Sequence, residues 1–189
     1  IASELNIPVY ACAYPVLELY NPEEYEKVED DKFKIISMSA FNERKGWEQL
    51  ITAYYSEFFD NEDVVLRVKT HGTKRQVAEE IAKYRNSTVR LTAIYDSNAK
   101  IHKTSPLKPK CTLELDTSKL SEKQMINYFQ NYDLYASATK GEGFGLTIAQ
   151  AGLSGLPIVC PNKGGHLDFC PSESYTVDSF TARIPDSLQ

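Results

Sequence analysis

A glycine-rich segment at residues 141–150 carries the residue types with the clearest potential for chemistry. It reads Gly-Glu-Gly-Phe-Gly-Leu-Thr-Ile-Ala-Gln and follows an apolar, strand-like run at 134–138. The residues after the turn have the pattern of a helix that ends near Gly155. A glycine turn between a strand and a helix leaves backbone N–H groups without acceptors at the positive end of the helix dipole. Such a turn binds a phosphate or a negatively polarised oxygen.

Several residues of this segment are candidates for ligand contact. Glycines at 143 and 145 allow the backbone to approach a ligand closely, and we expect four amides to face it: those of Phe144, Gly145, Leu146 and Thr147. Glu142 is a candidate acceptor for sugar hydroxyls, although it would also serve as a favourable charge at the helix N-terminus. Gln150 bonds ribose hydroxyls if it faces the cleft and is an ordinary helix former if it faces solvent.

A cationic turn, Arg44-Lys45-Gly46, lies between a predicted strand at 33–38 and a predicted helix beginning at Trp47. Two phosphates carry about two charges and need a cation as well as N–H donors. We therefore predict that Lys45, and secondarily Arg44, holds a diphosphate. The competing interpretation is a solvated turn in which Gly46 relaxes the backbone.

Weaker candidates lie in other loops. His71 precedes Gly72, so this loop can approach a ligand through its backbone, but a plain loop histidine is as good an interpretation. Gly165 offers one more N–H to a phosphate, with His166 beside it. The basic segment 100–110 would touch RNA or membrane phosphates, or be a solvated loop, and the solvated loop is favoured because few stacking side chains accompany the lysines.

The element pattern predicts an α/β fold with a Rossmann-like parallel sheet and helices on both faces. Ligands of such sheets bind at the carboxyl ends of the strands, where the candidate loops lie. The predicted strands are 33–38, 64–68, 89–94, 111–115, 134–138 and 156–160, and the predicted helices are 47–58, 73–84, 121–130 and 146–154. A short helix or turn is expected after Gly164-Gly165.

Composition narrows the function classes. The 189 residues suffice for one core, and the net charge of −5 gives no general attraction to nucleic acid. We find no run of about 20 apolar residues that would span a bilayer and no signal peptide, so a cytoplasmic location is expected, with a location peripheral to a membrane as the alternative. The cysteines, at 12, 111, 160 and 170, lack metal-ligand spacing and are expected to be free thiols, with a 160–170 bridge as the minor alternative.

The organisation along the chain is expected to be a linker followed by one domain. Residues 1–32 contain an apolar run at 7–13 and then proline and acidic interruptions, which are typical of a connector. Residues 33–189 are expected to form the Rossmann-like domain.

The Arg44-Lys45-Gly46 turn and the succession strand–GEGFGL–helix–GLPIV–GG together resemble one family. They are similar to the nucleotide-sugar-binding C-terminal domain of family 4 (group 1) retaining glycosyltransferases, whose GT-B fold consists of two facing Rossmann-like domains. The resemblance covers most of residues 33–170, and 134–165 is its specific part. The family pattern of two glutamates separated by seven residues has Glu142 at its first position and Gln150 at its second.

The resemblance implies a donor site for a nucleotide-diphosphate sugar, without a metal or other cofactor. Lys45 would bind the pyrophosphate, Glu142 would contact the transferred sugar, and Gln150 would take the ribose role. The turn from Gly143 to Thr147 would hold sugar and phosphate, and the loop ending at Leu120 would flank the base. The chain departs from the family at Gln150, which replaces a carboxylate, and at Ala40, where an arginine is usual.

The expected function is transfer of a sugar with retention of configuration to an acceptor that is a sugar, a lipid or a protein. The resemblance also implies that residues 1–32 are the interdomain linker, which enters from a missing N-terminal domain. The acceptor would come largely from that domain, so the isolated fragment is expected to be nearly inactive. Two alternatives stay open: a sugar-nucleotide epimerase, which would use Glu142 or His71 on the sugar ring, and a non-catalytic degenerate module that serves as a scaffold.

Overall fold

The computed structural model describes residues 31–95, 108–170 and 174–179. Within these ranges, every neighbouring strand pair of the sheet is parallel, and the strand order is β3-β2-β1-β4-β5-β6. The predicted parallel α/β fold is confirmed. The strands are β1 (Phe33–Met38), β2 (Val64–Lys69), β3 (Thr112–Asp116), β4 (Leu134–Ala136), β5 (Ile158–Pro161) and β6 (Tyr175–Val177).

Helices cover both faces of this sheet, as the sequence predicts. They are α1 (Trp47–Phe58), α2 (Lys74–Tyr95), α3 (Glu122–Phe129) and α4 (Leu146–Leu153), with short 3₁₀ helices at Glu43–Lys45 and Gly165–Asp168. Adjacent residues of β1 point to opposite faces, so Ile35 joins one apolar cluster and Ile36 joins the other. The first cluster includes residues of α1 and α2, and the second includes residues of α3 and α4.

The first helix shows how these layers are fixed. Its buried stripe consists of Trp47, Ile51, Tyr54 and Tyr55, at the spacing of one helix face. The polar atoms of the stripe have partners, since the Trp47 indole donates to the Ala40 carbonyl at 2.9 Å. The Tyr54 hydroxyl lies 2.7 Å from the carbonyl oxygen of Thr112, which ties α1 to the start of β3.

The predicted strand at 89–94 is wrong, because these residues continue helix α2 to Tyr95. The run Val-Arg-Leu-Thr-Ala-Ile has the composition of a strand, but no proline or glycine separates it from the helix before it. Without such a breaker, a helix of 22 residues forms and overrides a weak β preference. Ser87 is accommodated by a bond from its hydroxyl to the Lys83 carbonyl, at 3.1 Å.

The predicted bounds of the other elements agree with the structure to within two residues, apart from the unpredicted edge strand β6. Residues 1–30, which include the apolar run and Cys12, and residues 100–107 of the basic segment lie outside the described residues. Cys111, Cys160 and Cys170 are free thiols, and the last two have their sulfur atoms 3.9 Å apart. In the described part of the chain, no helix has the length and apolarity needed to cross a membrane.

The loops after β1 and β4 touch through their backbones, because these strands are neighbours in the sheet. Gly46 has a φ of +68°, and a methyl group added to it would overlap the carbonyl oxygen of Ala138. The amide of Lys140 donates to the Arg44 carbonyl at 2.8 Å, so the two loops are also hydrogen-bonded. Only glycine satisfies both the positive φ and this close approach.

We predict that Gly46→Ala lowers the free energy of unfolding by about 3 kcal/mol, because a strained φ and a backbone overlap add together. The matched control is Gly155→Ala. Gly155 has a φ of +82°, but nothing lies within 4 Å of an added methyl group. The control should cost only about 1 kcal/mol. Urea unfolding of both variants measures this, and equal losses would show that the loop contact contributes nothing.

Candidate functional site

The candidate site lies where the strand order reverses. β2 and β3 lie on one side of β1, and β4 continues the sheet on the other side, so the helices that follow β1 and β4 pack on opposite faces of the sheet. A crevice is expected between them, at the carboxyl ends of these two strands. Crevices of this kind are the usual ligand sites of open parallel sheets. The Arg44-Lys45-Gly46 turn follows β1, and the glycine-rich segment follows β4.

Lys45 and Glu142 form an ion pair across this crevice. They are 97 positions apart in the chain, and their side chains are only 13% and 16% exposed. A charge pair this shielded from solvent interacts more strongly than an exposed one. The structure therefore brings together the two side chains that the sequence proposes for the diphosphate and the sugar, and it directs the ammonium of Lys45 toward the glycine turn.

Arg44 has a different role from that of Lys45. Its guanidinium donates to the carbonyl oxygen of Gly141, while the residue as a whole remains exposed. Thr139, which the sequence analysis did not single out, is buried and donates to the same carbonyl at 3.1 Å. Arg44 and Thr139 thus hold the first residue of the glycine turn, and Lys45 is left as the cation beside the crevice.

The glycine turn is packed against the Gly164-Gly165 loop. A methyl group on Gly165 would overlap the Gly143 carbonyl oxygen, and the Gly165 amide donates to the Glu142 carbonyl at 3.0 Å. Gly145 has a φ of +90°, and an added methyl would lie 3.0 Å from the Cβ of His166. The turn is consequently fixed from both sides, and its backbone geometry depends on glycine.

Helix α4 begins directly after this turn, and Gly145 is its N-cap without any side-chain cap. The first amides of a helix have no acceptor within the helix, so those of Leu146 and Thr147 are oriented for an external one. The Thr147 hydroxyl is 3.0 Å from the hydroxyl of Tyr135, which also donates to the Met38 carbonyl at 3.1 Å. This chain of bonds ties the start of α4 to β4 and β1.

His166 is a structural residue at the back of the turn. It is fully buried, and its Nε2 lies 2.9 Å from the Pro161 carbonyl, which places the proton on that nitrogen. Its Nδ1 is buried and has no hydrogen-bond partner among the described residues. A ring held in this way packs the Gly164-Gly165 loop against the turn.

The remaining candidates from the sequence lie at the same edge of the sheet. Among the described residues, no hydrogen bond or ion pair joins them to Lys45 or Glu142. His71 and Gly72 are exposed in the loop after β2, and Leu120 is half-buried in the loop after β3. Gln150 is half-buried in the second turn of α4. β2 and β3 lie roughly 5 and 10 Å from β1 along the sheet, so these loops are placed beside the crevice rather than in it.

A buried charged cluster at the ends of β2 and β3 escaped the sequence analysis. Lys69 and Asp116 are register partners, and the Lys69 ammonium lies 3.2 Å from the Asp116 carboxylate. The hydroxyl of Tyr128 donates to the other carboxylate oxygen at 2.6 Å. The available signal was a charged residue at the end of each strand, two positions after another charged residue of the same sign.

The surroundings of Asp116 keep its carboxylate charged. Burial raises the pKa of this carboxyl. Hydrogen bonds from Tyr128, Ser118 and Lys69 together lower the pKa by more than burial raises it, so it lies well below the ordinary 3.8. In residues 31–95, 108–170 and 174–179, no group of three or more His, Cys, Asp or Glu side chains is arranged to hold a metal ion.

Comparison with known proteins places this fold among glycosyltransferases. No family model matches the sequence. The GtfA subunit of the UDP-N-acetylglucosamine–peptide N-acetylglucosaminyltransferase of Streptococcus parasanguinis is 54% identical over 37 residues, which are 20% of this chain and 7% of that protein. The pneumococcal O-GlcNAc transferase GtfA, solved with UDP and GlcNAc, has a TM-score of 0.55 and 17% identity, covering 90% of this chain and 28% of that one.

A separate domain gives a similar result with more complete coverage. The C-terminal domain of the group 1 glycosyl transferase LpcC from Francisella tularensis has a TM-score of 0.57 and 15% identity, covering 84% of this chain and 79% of that one. The chain thus has the fold of the C-terminal domain of group 1 glycosyltransferases of the GT-B type, as the resemblance implies. It spans only 28% of the length of pneumococcal GtfA.

We predict that Asp116→Asn lowers the free energy of unfolding by about 3 kcal/mol at pH 7, because Lys69 loses its charged partner in a buried position. A carboxyl whose folded pKa is depressed stabilises the fold above its unfolded pKa and loses this effect as the pH falls below it. The difference in the free energy of unfolding between wild type and variant should therefore become smaller as the pH drops below about 4. Urea unfolding at pH 7, 5 and 3 tests this, and a gap that is constant with pH would contradict it.

Proposed function

We propose that this chain is the donor-binding domain of a retaining glycosyltransferase that uses a nucleotide-diphosphate sugar. The observation that carries the proposal is the convergence of Lys45, Glu142 and the N-terminus of α4 at the crevice between β1 and β4. A diphosphate needs a cation and N–H donors together, and this crevice offers both. The fold shared with group 1 glycosyltransferases supports the same assignment.

In this proposal the diphosphate lies between Lys45 and the first amides of α4. Glu142 then accepts hydrogen bonds from hydroxyls of the transferred sugar, and its carboxylate shares the Lys45 ammonium with the phosphates. The ribose reaches Gln150, and the base lies beside the loop that follows β3. The Gly165 amide already donates to the Glu142 carbonyl, so Gly165 supports the turn from behind. His71 and Gly72 border the crevice at β2.

The chemical step breaks the bond between the anomeric carbon and the diphosphate, and forms a bond from the same face to an acceptor oxygen, which loses its proton. Negative charge grows on the departing nucleoside diphosphate. Lys45 and the α4 amides stabilise that charge electrostatically, and Arg44 does so indirectly by fixing Gly141. The acceptor is assigned to a second domain of a longer protein, so the 189 residues alone should bind donor weakly and transfer little.

The base proposed is uracil. The S. parasanguinis relative is by name a UDP-N-acetylglucosamine transferase, and pneumococcal GtfA was solved with UDP and GlcNAc. The decisive experiment is a binding screen of the chain against UDP-, GDP- and ADP-sugars by calorimetry, followed by a transfer assay with the parent protein and labelled donor. Free nucleotide with a glycosylated acceptor supports transfer, a changed sugar without acceptor indicates epimerisation, and no binding indicates a scaffold.

We predict that Lys45→Ala weakens nucleoside-diphosphate binding by about 2 kcal/mol, or roughly 30-fold, because the buried phosphate loses its charged donor. The thermal midpoint should fall as well, because Glu142 loses its charged partner in a position shielded from solvent. The control is Lys140→Ala. Lys140 lies in the loop after β4, but its ammonium pairs with exposed Glu43 at 3.3 Å. Calorimetry should show normal affinity for the control. Equal affinities for both variants would remove Lys45 from the site.

We also predict that Gln150→Glu tightens nucleoside-diphosphate binding by about 1 kcal/mol, or roughly fivefold, because a carboxylate is the stronger acceptor for ribose hydroxyls. The corresponding 2′,3′-dideoxynucleotide serves as the control ligand and should show no gain. An unchanged or weaker affinity for the ordinary nucleotide would show that this side chain does not meet the ribose.

A further inference from the structure

The loop at residues 117–120 is fixed by a buried charged cluster. Lys69 is buried at the carboxyl end of β2, and its ammonium contacts both the Asp116 carboxylate and the loop itself. It donates to the carbonyl oxygen of Ser118 and to the Ser118 hydroxyl, the latter at 2.9 Å. One buried cation thus joins the end of β2 to the segment that leaves β3.

Asp116 holds the same loop from the other side. Its carboxylate accepts the amide of Ser118 at 2.8 Å and the hydroxyl of Tyr128 at 2.6 Å. The Tyr128 ring also lies 5.5 Å from the Lys69 ammonium, a cation–π distance. Because Tyr128 belongs to α3, the cluster fixes the loop relative to the next helix as well as to the sheet.

The far end of the loop is fixed by the start of α3. The Ser121 amide donates to the Gln124 side chain at 2.9 Å, and the Gln124 amide lies 3.4 Å from the Ser121 hydroxyl. This arrangement is a capping box. The four residues between Asp116 and Ser121 are therefore held at both ends, and the Ser118 carbonyl is already occupied by Lys69.

Burying an ion pair at this edge costs desolvation energy that apolar residues would avoid. The pair two residues earlier on the same strands, Arg67 and Glu114, has side chains that are 32% and 42% exposed, against 6% and 15% for Lys69 and Asp116. The more buried pair, Lys69 and Asp116, lies at the carboxyl ends of β2 and β3, beside the crevice. This location indicates that the pair positions the loop that follows β3. Selective hydrogen bonding requires donors and acceptors that are held in place within about 0.5 Å.

The proposed donor site already places the base beside residues 117–120. We propose that Lys69, Asp116 and Tyr128 hold this loop in position and that the cluster thereby sets which base is accepted. The inference rests on the proposed donor site. The loop lies two strands from β1, roughly 10 Å along the sheet, which an extended nucleoside diphosphate can span from Lys45. A backbone with fixed donors and acceptors rejects a base that leaves them unpaired.

The test measures dissociation constants of UDP, GDP, ADP and inorganic pyrophosphate for the 189-residue chain by calorimetry. In Lys69→Met, the ratio between the tightest and weakest nucleotide should fall at least tenfold, while pyrophosphate affinity stays within twofold. The control Arg67→Met removes a cation from the same pair of strands and should keep the wild-type ratio. Should Lys69→Met not fold, the double variant K69M/D116N removes both charges and is judged by the same criteria.

The outcomes separate the inference from the proposed function. A wild-type chain that binds no nucleotide overturns the donor site and this inference with it. A wild type that discriminates among bases, with a Lys69→Met variant that discriminates equally well, overturns the inference alone. Equal weakening of all four ligands, pyrophosphate included, also overturns it, because that result describes general damage to the site.

Discussion

The close approach of two backbone loops is the constraint on which the rest of the site depends. Gly46 meets the carbonyl oxygen of Ala138 where no side chain fits, and this contact sets the distance between the loops after β1 and β4. A larger residue would push the loops apart at the point where the strand order reverses. Everything placed on either loop, including Lys45 and Glu142, inherits its position from this contact.

Among the described residues, two ion pairs that are shielded from solvent lie at the same edge of the sheet as this loop contact. Lys45 and Glu142 meet across the crevice, and Lys69 and Asp116 meet two strands away. Each pair joins segments that are distant in sequence, and each lies at the carboxyl edge of the sheet, while the pairs within α2, such as Arg75 with Glu79, are exposed. The shielded charges are thus concentrated at the edge where parallel sheets bind ligands.

The sequence predicted the sheet because strands covered on both faces read as continuous apolar runs, such as those at β1 and β2. It also indicated the glycine turn and Lys45, since a loop between a strand and a helix must lie at the carboxyl edge. It failed at Val89–Ile94, where strand-like residues lack a breaker and extend a helix. Lys69 and Asp116 could not be paired without the register of β2 and β3, which sequence spacing does not encode.

Gly145, the N-cap of α4, affects both the stability of this helix and the proposed binding of the donor. The helix starts at Gly145 without a side-chain acceptor for its first amides. Serine or aspartate at a cap usually stabilises a helix by about 1 kcal/mol, because its oxygen takes up such an amide. Here Gly145 has a φ of +90°, and an added Cβ would lie 3.0 Å from the Cβ of His166, so a capping side chain would be strained. The packing of the turn therefore leaves this helix with a weaker start, and its first amides are available to the diphosphate of the proposed donor site.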